Sequence, residues 1–446
     1  MSVIITIFML LTVFPIYFTF LPKMAWHVIY IGVPLLYLLI NLDIIQKKLL
    51  RIEFLKYYQL FFSIFSISVV YSLVRIIFST EGITYLNNYV LMLSGIVKFL
   101  AILTFIDKNR DTEDTLLENF IKYYVFAVCI YVACSVLFLF LPDLKFLWQG
   151  FIHTESLNER FIDNINSAGL YVTRFGLQGW SGFSASVFCS VGIWLNLIML
   201  NNFKSSIFYF FSLCILLLGN SFYARSGLII SIIMITLVFL HEYRKIISIK
   251  SISCVCFLGT ISFIILFIFS DQFYFLDVWY AWLFSPFEAF MEGLSHGTFS
   301  LGSSGDVLIN KMYYIPQNDM TILLGDGLYT YNGGYYGSTD AGIMRNILFG
   351  GVVGTVFYYG IYFYIINSMR RIVVQISKIK FFMFLLVMMV IFFEIKGNPV
   401  HLYIGIIVSF ISAEIIDERN RNVYMYGRIG RTKEVQHKCC SIILEK

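Results

Sequence analysis

The sequence predicts an all-α, polytopic integral membrane protein with about twelve transmembrane helices. Three observations predict it. Of 446 residues, 59% are hydrophobic and only 13% charged, about half the charge of an ordinary soluble domain. The mean hydropathy is +0.79, more apolar surface than one soluble core of this length can hide. Apolar runs near 20 residues, enough to cross a bilayer, recur along the chain. The 46 Phe and 30 Tyr fit the same setting, since Tyr favours membrane–water interfaces.

The spans fall at 3–21, 27–45, 58–78, 86–106, 123–141, 180–200, 205–219, 226–241, 251–270, 343–366, 381–395 and 398–415. The run Met1 to Leu21 has no basic leader and no small-residue cleavage site, and reads as a retained first helix. Short loops rich in Lys and Arg face the cytoplasm. In a twelve-span arrangement, 22 of the 32 basic residues fall on one face, in loops such as 46–57 and 367–380 and in the tail 416–446. That face is the cytoplasm and both termini lie there, which in a bacterium makes this a multi-pass inner-membrane protein. Residues 1–415 form the transmembrane domain, and 416–446 form a basic cytoplasmic tail.

The opposite face carries two long loops, 142–179 and 271–342. The second holds eight acids and one clear base, Lys311. Its apolar stretch Phe273 to Phe290 is interrupted by Asp277, Pro286 and Glu288 and reads as an interfacial or re-entrant helix. The eight Cys are scattered, absent from both long loops, and form neither a disulfide framework nor a metal motif. No internal repeat is visible.

A charge at mid-bilayer costs about 2.5–3.5 kcal/mol, so charged residues within or beside spans mark candidate sites. Arg174 sits in the glycine-rich stretch Thr173 to Gly182, where it can meet an anion or snorkel to headgroups. Arg225 precedes the span at 226–241, where a helix N-terminus and a guanidinium fork together suit phosphate. Arg345 lies about one turn inside the span at 343–366. Asp340, five residues earlier, suits either an N-cap or a general base. The segment 325–337 interleaves glycines with Tyr329, Tyr331, Tyr335 and Tyr336. Flat rings with hydroxyl tips suit a sugar, although interfacial tyrosines look the same. His296 is a second candidate base. Lys98 stands in mid-span. Arg75, Arg160, Glu394 and Lys396 read as snorkelling, solvated or interfacial residues, and His401, near the outer start of the span at 398–415, is a weaker candidate.

Outer arginines at helix ends, followed by an acidic, tyrosine-rich loop, suit a lipid-linked diphosphate and a carbohydrate. With these features on the page, the chain resembles the O-antigen polymerases (Wzy-type), relatives of the O-antigen ligases. The resemblance rests on the twelve-span layout and the long loop between the ninth and tenth spans. It rests also on the turn Ala224-Arg225-Ser226-Gly227, and on the run from Gly325-Asp326-Gly327 to Asp340-Ala341-Gly342 and then Gly350-Gly351. One departure stands out. Some members carry Arg-x10-Gly repeats, whereas here Ala185 and Thr236 occupy the eleventh position after Arg174 and Arg225.

The resemblance implies a membrane glycosyltransferase that moves a glycan from undecaprenyl diphosphate to a sugar hydroxyl of a second lipid-linked repeat unit. Arg174, Arg225 and Arg345 would hold the diphosphate, the four tyrosines the sugars, and Asp340 or His296 would take the proton. No metal or other cofactor is required. The implied partners are the lipid-linked oligosaccharide, membrane lipid and a chain-length regulator, with no nucleic acid. An O-antigen ligase and a flippase for the same lipid-linked units are the alternative readings. The ligases usually place a His where this chain has Asp340, and a flippase would have shorter outer loops and more polar spans.

Overall fold

Proline and glycine set where the apolar runs bend or stop. In a computed structural model, the described residues are 1–43, 46, 52–77, 80–110, 114–153, 174–180, 182–202, 207–246, 274–296, 302–331, 334–373, 376 and 378–418. They are mostly helical. In chain order the helices are α1 Ser2–Val13, α2 Lys23–Ile40, α3 Ile52–Ile77, α4 Leu86–Asn109, α5 Leu116–Phe140, α6 Pro142–Phe151, α7 Phe183–Asn202, α8 Ile207–Tyr223 and α9 Arg225–Ile246. There follow α10 Tyr274–Ser295, α11 Gly302–Val307, α12 Asp319–Leu324, α13 Gly342–Ile372 and α14 Ile379–Lys396, then α15 Val400–Glu418. Two antiparallel hairpins interrupt them: β1 Phe175–Gly176 with β2 Gly179–Trp180, and β3 Thr330–Tyr331 with β4 Gly334–Tyr335.

Each expected span outside 251–270 carries a helix. The span at 251–270, Arg160 and the tail beyond Glu418 lie outside the described residues. Among the described residues, seven helices are long and apolar enough to cross a membrane: α2, α3, α4 with its lead-in turn, α5, α7, α13 and α15. α1, α8 and α9 are shorter apolar helices. α14 carries Lys380, Glu394 and Lys396 within its 18 residues.

The first span differs from expectation. Its helix stops at Val13, because Pro15 disfavours helical geometry at Phe14. The chain then runs extended, pairing Phe18 with Ile152 beyond α6. The apolar stretch of the second long loop is helical: α10 continues through Pro286.

α7 sits centrally, against α5, α8, α9 and α14. Sixteen of its residues are buried, so it is apolar all round rather than striped. Polar glue joins it to its neighbours: Asn220 accepts from Ser186 (2.8 Å) and donates to Ser190 (3.1 Å) and Ser231 (2.9 Å). Gly227 makes this possible, since a Cβ there would come within 1.7 Å of the Ser186 hydroxyl. The small residue of the Arg225-Ser226-Gly227 turn thus lets α9 approach α7.

α13 is broken. Gly351 has φ +64°, which ends one helical piece and starts the next. The break frees carbonyls that apolar surroundings would leave unmet. Asp326 N–H donates to Leu348 O (2.7 Å), Gly327 N–H to Phe349 O (2.9 Å), and the Tyr71 hydroxyl to Gly350 O (2.8 Å). Arg75 in turn donates to Gly325 O. The Gly325-Asp326-Gly327 turn and the Gly350-Gly351 pair are therefore two halves of one joint.

At the other end of the bundle, the Asp417 carboxylate accepts from the first N–H groups of α5, Leu116 and Leu117, both at 2.9 Å, and pairs with Arg110 at 2.9 Å. A capping box of Thr115 and Glu118 completes that start. Asp417→Ala leaves the first N–H groups of α5 without their acceptor and Arg110 with Asp107 alone. It is expected to destabilise the protein by about 3 kcal/mol, read as a lower melting temperature in detergent. A melting temperature within one degree of the parent would refute this.

Candidate functional site

Four helices begin around one cavity of about 890 Å³. Its wall is made by the first turns of α4 (Asn87, Asn88), α7 (Phe183, Ser184), α13 (Arg345) and α15 (His401, Leu402), with the segments leading into them. Helix N-termini carry unpaired N–H groups and partial positive charge, so such a gathering attracts anions. Arg174, Arg345 and Lys396 also line it, opposed by one carboxylate, Asp340.

Arg345 is 8% exposed. Its guanidinium is held by rings rather than by an acid, 4.2 Å from the Tyr329 ring centre and 3.6 Å from that of Tyr335. Its Nε has no hydrogen-bond partner. The β3–β4 hairpin sets Tyr335 in place. Tyr329 is fixed by Asn398, whose amide donates to its hydroxyl (3.2 Å) while accepting from Tyr358 (3.1 Å).

Arg174, at the start of the β1–β2 hairpin, and Arg225, at the start of α9, converge on Trp282 of α10. Their guanidinium carbons lie 5.3 and 5.0 Å from its ring centre. Arg225 also donates to Trp282 O (3.2 Å) and Ser285 Oγ (2.9 Å). Lys396 lies within electrostatic reach of both arginines and of Asp340. Two like-charged forks sharing one aromatic platform next to a lysine form a site suited to a multiply charged anion.

The turn between α14 and α15 is tied from beneath. Glu394, 2% exposed, accepts from Val400 N–H (2.8 Å) and the Tyr359 hydroxyl (2.5 Å). Tyr359 accepts from Asn346 (2.9 Å), which accepts from Tyr85 (3.0 Å). This chain fixes the backbone that carries Lys396 and His401. The His401 Nδ1 is buried and has no hydrogen-bond partner.

Among the residues singled out in the sequence, the structure brings Arg174, Arg345, Tyr329, Tyr335 and Asp340 to one cavity, with Arg225 beside Arg174. Asp340 is exposed and does not cap α13. The cap position is Ala341, and the side chain that accepts from its N–H is Thr339 (3.2 Å). Asp340 and Arg345 form no ion pair, because the guanidinium is taken up by the two tyrosines. Tyr331 is exposed and does not line the cavity. Tyr336 donates to Asp326 (2.9 Å) and steadies the loop. Burial, then that bond and the Asp326 charge, push its hydroxyl up to about 12, so it stays a donor. His296 is exposed just past α10 and is not part of the cavity wall.

In the sequence Lys396 reads as interfacial and His401 as a weaker candidate, and Trp282 gives no signal at all. For Lys396 and His401 the signal was present: a charge and an imidazole flanking Gly397-Asn398-Pro399 between two apolar runs. No group of three or more His, Cys, Asp or Glu gathers as metal ligands among the described residues. Comparison with protein-family models finds no match, and no curated protein sequence matches either.

Proposed function

We propose that the protein is a membrane glycosyltransferase of the O-antigen polymerase kind. It would join lipid-linked glycan repeat units at the outer face of the bacterial inner membrane, with both termini in the cytoplasm. The observation that carries this reading is the gathering of Arg174, Arg345 and Lys396 with four helix starts around one large cavity that also presents Tyr329, Tyr335 and Asp340. Positive charge there suits a diphosphate, and the rings and amides suit sugar.

In this mechanism the acceptor hydroxyl oxygen attacks the anomeric carbon of the donor glycan. The bond from that carbon to the diphosphate oxygen breaks, and its electron pair leaves with undecaprenyl diphosphate. The hydroxyl proton passes to Asp340, the carboxylate on the cavity wall. Charge growing on the leaving diphosphate is stabilised by fixed cations and helix N-termini, a contribution worth most where water is excluded. No nucleotide is needed, because the diphosphate is already an activated leaving group. Twelve spans, one of them at 251–270, would place Arg225, Asp340 and the β3–β4 hairpin on the outer side.

Arg225→Ala is expected to abolish the ladder of chain lengths on a surface-glycan gel while the protein stays in the membrane. A normal ladder would remove its proposed role. Because side chains and helix ends supply the positive charge, chelator is expected to leave polymerisation by the purified protein unchanged. Activity lost with EDTA and restored by a divalent cation would overturn that part of the mechanism.

A further inference from the structure

Lys98 lies well into α4, about 18 Å from its start at 1.5 Å per residue. That depth is near the middle of a hydrocarbon core of about 30 Å. Among the described residues it has no salt bridge. α1 and α2, which pack beside it, contain no acid, and the one acid of α4, Asp107, is bound to Arg110 at 3.2 Å. An ammonium left this way is costly in a bilayer, and nothing among the described residues compensates it.

Lys98 lines a groove of about 170 Å³ between α1, α2 and α4. Phe8, Val33, Tyr37 and Phe105 are among its other walls. Phe8 and Val33 are 50% and 58% exposed, so the groove reaches the surface that lipid would cover. Positive charge recurs at the start of α2 in Lys23, and His27 lies within electrostatic reach of both lysines as a polar ring between them. The Tyr17 hydroxyl meets His27 Nδ1 at 3.4 Å, and Lys23 stands 5.9 Å from the Tyr17 ring centre. An apolar slot with a lysine in its wall and a His–Lys–Tyr cluster above it matches an amphiphile with an anionic head and a hydrocarbon tail.

We infer that this groove binds one lipid with a net-anionic phosphate headgroup, its tail lying along Phe8, Val33 and Phe105 and its head drawn by Lys98, His27 and Lys23. A membrane phospholipid and a polyprenyl phosphate share that chemistry. The site is separate from the large cavity, and the inference does not depend on the polymerase reading.

The test is native mass spectrometry of delipidated protein in detergent, titrated separately with phosphatidylglycerol, undecaprenyl phosphate and phosphatidylcholine. The first lipid bound to the parent is expected to be one of the two anionic species, and whichever binds tighter names the source. Lys98→Met, which keeps the length and removes the charge, is expected to weaken that binding by about tenfold or more, the loss of one charge-assisted contact. It should melt no lower than the parent. His27→Ala, a change at an exposed position, gives an independent reading should Lys98→Met not accumulate, and is expected to weaken binding several-fold. Equal binding of phosphatidylcholine, or parent-like affinity in either variant, would overturn the inference.

Discussion

Arg345→Ala is expected to reduce polymer formation by about a hundredfold or more, the scale seen when a fixed donor to a developing oxyanion is removed. The protein should still reach the membrane at parental abundance. The reason lies in how Arg345 is held. It is buried at the start of α13, sandwiched by Tyr329 and Tyr335 and not consumed by any carboxylate. Its guanidinium thus lines the cavity at the helix start with no salt bridge among the described residues. Arg345→Lys sharpens the test. A lysine keeps the charge but lacks the planar face that stacks between two rings and the fork that grips phosphate. It is expected to recover only a small part of the activity. The readout is the glycan ladder beside an immunoblot of the membrane fraction. A full ladder from Arg345→Ala would remove this arginine from the mechanism.

Gly351→Val is expected to prevent accumulation of folded protein. At Gly351 the backbone has φ +64°, and a Cβ would come within 2.3 Å of the Leu323 carbonyl. An L-residue is disfavoured in that conformation, and the neighbour is backbone that cannot step aside. The cost is expected to reach about 3 kcal/mol or more. Gly350→Ala is the control, because its Cβ would meet only the Tyr71 ring edge at 3.5 Å. That variant is expected to melt within a few degrees of the parent. Detergent melting curves of the two compare the joint with its immediate neighbour. Equal stability would mean that the helix break is not obligatory.

The helices were legible because a bilayer requires long apolar runs, and these stand out by composition alone. Their ends were less so. α1 stops at Val13 because of Pro15, whereas the run of apolar residues continues to Leu21. The break in α13 was written in Gly350-Gly351, but its purpose depends on the Gly325-Asp326-Gly327 turn docking on Leu348 and Phe349 from a distant part of the chain. Arg174, Arg225 and Arg345 drew notice as charges at helix ends. That Arg174 and Arg345 share a cavity, and that Arg225 joins Arg174 over Trp282, is a matter of tertiary packing with no local pattern. Lys396 reads as interfacial because a polar residue at a helix end usually just meets headgroups, and His401 ranks only as a weaker candidate for want of a partner nearby in sequence. Asp417 was counted into a tail, yet it caps α5 across the bundle. Asp340 illustrates the opposite case: open to a cap or a base in sequence terms, it lies one residue before the N-cap position Ala341 and lines the cavity.

The measurement that tests the central claim most directly is a surface-glycan gel on a strain lacking this protein, with the gene restored in parallel. The account predicts lipid A-core bearing a single repeat unit, with the long ladder gone and regained on restoration. Bare core with long chains still on the lipid carrier would contradict it and indicate the ligase reaction. Bare core with no polymer on the carrier would contradict it in favour of translocation or an earlier step, and an unchanged ladder would contradict any role in this assembly.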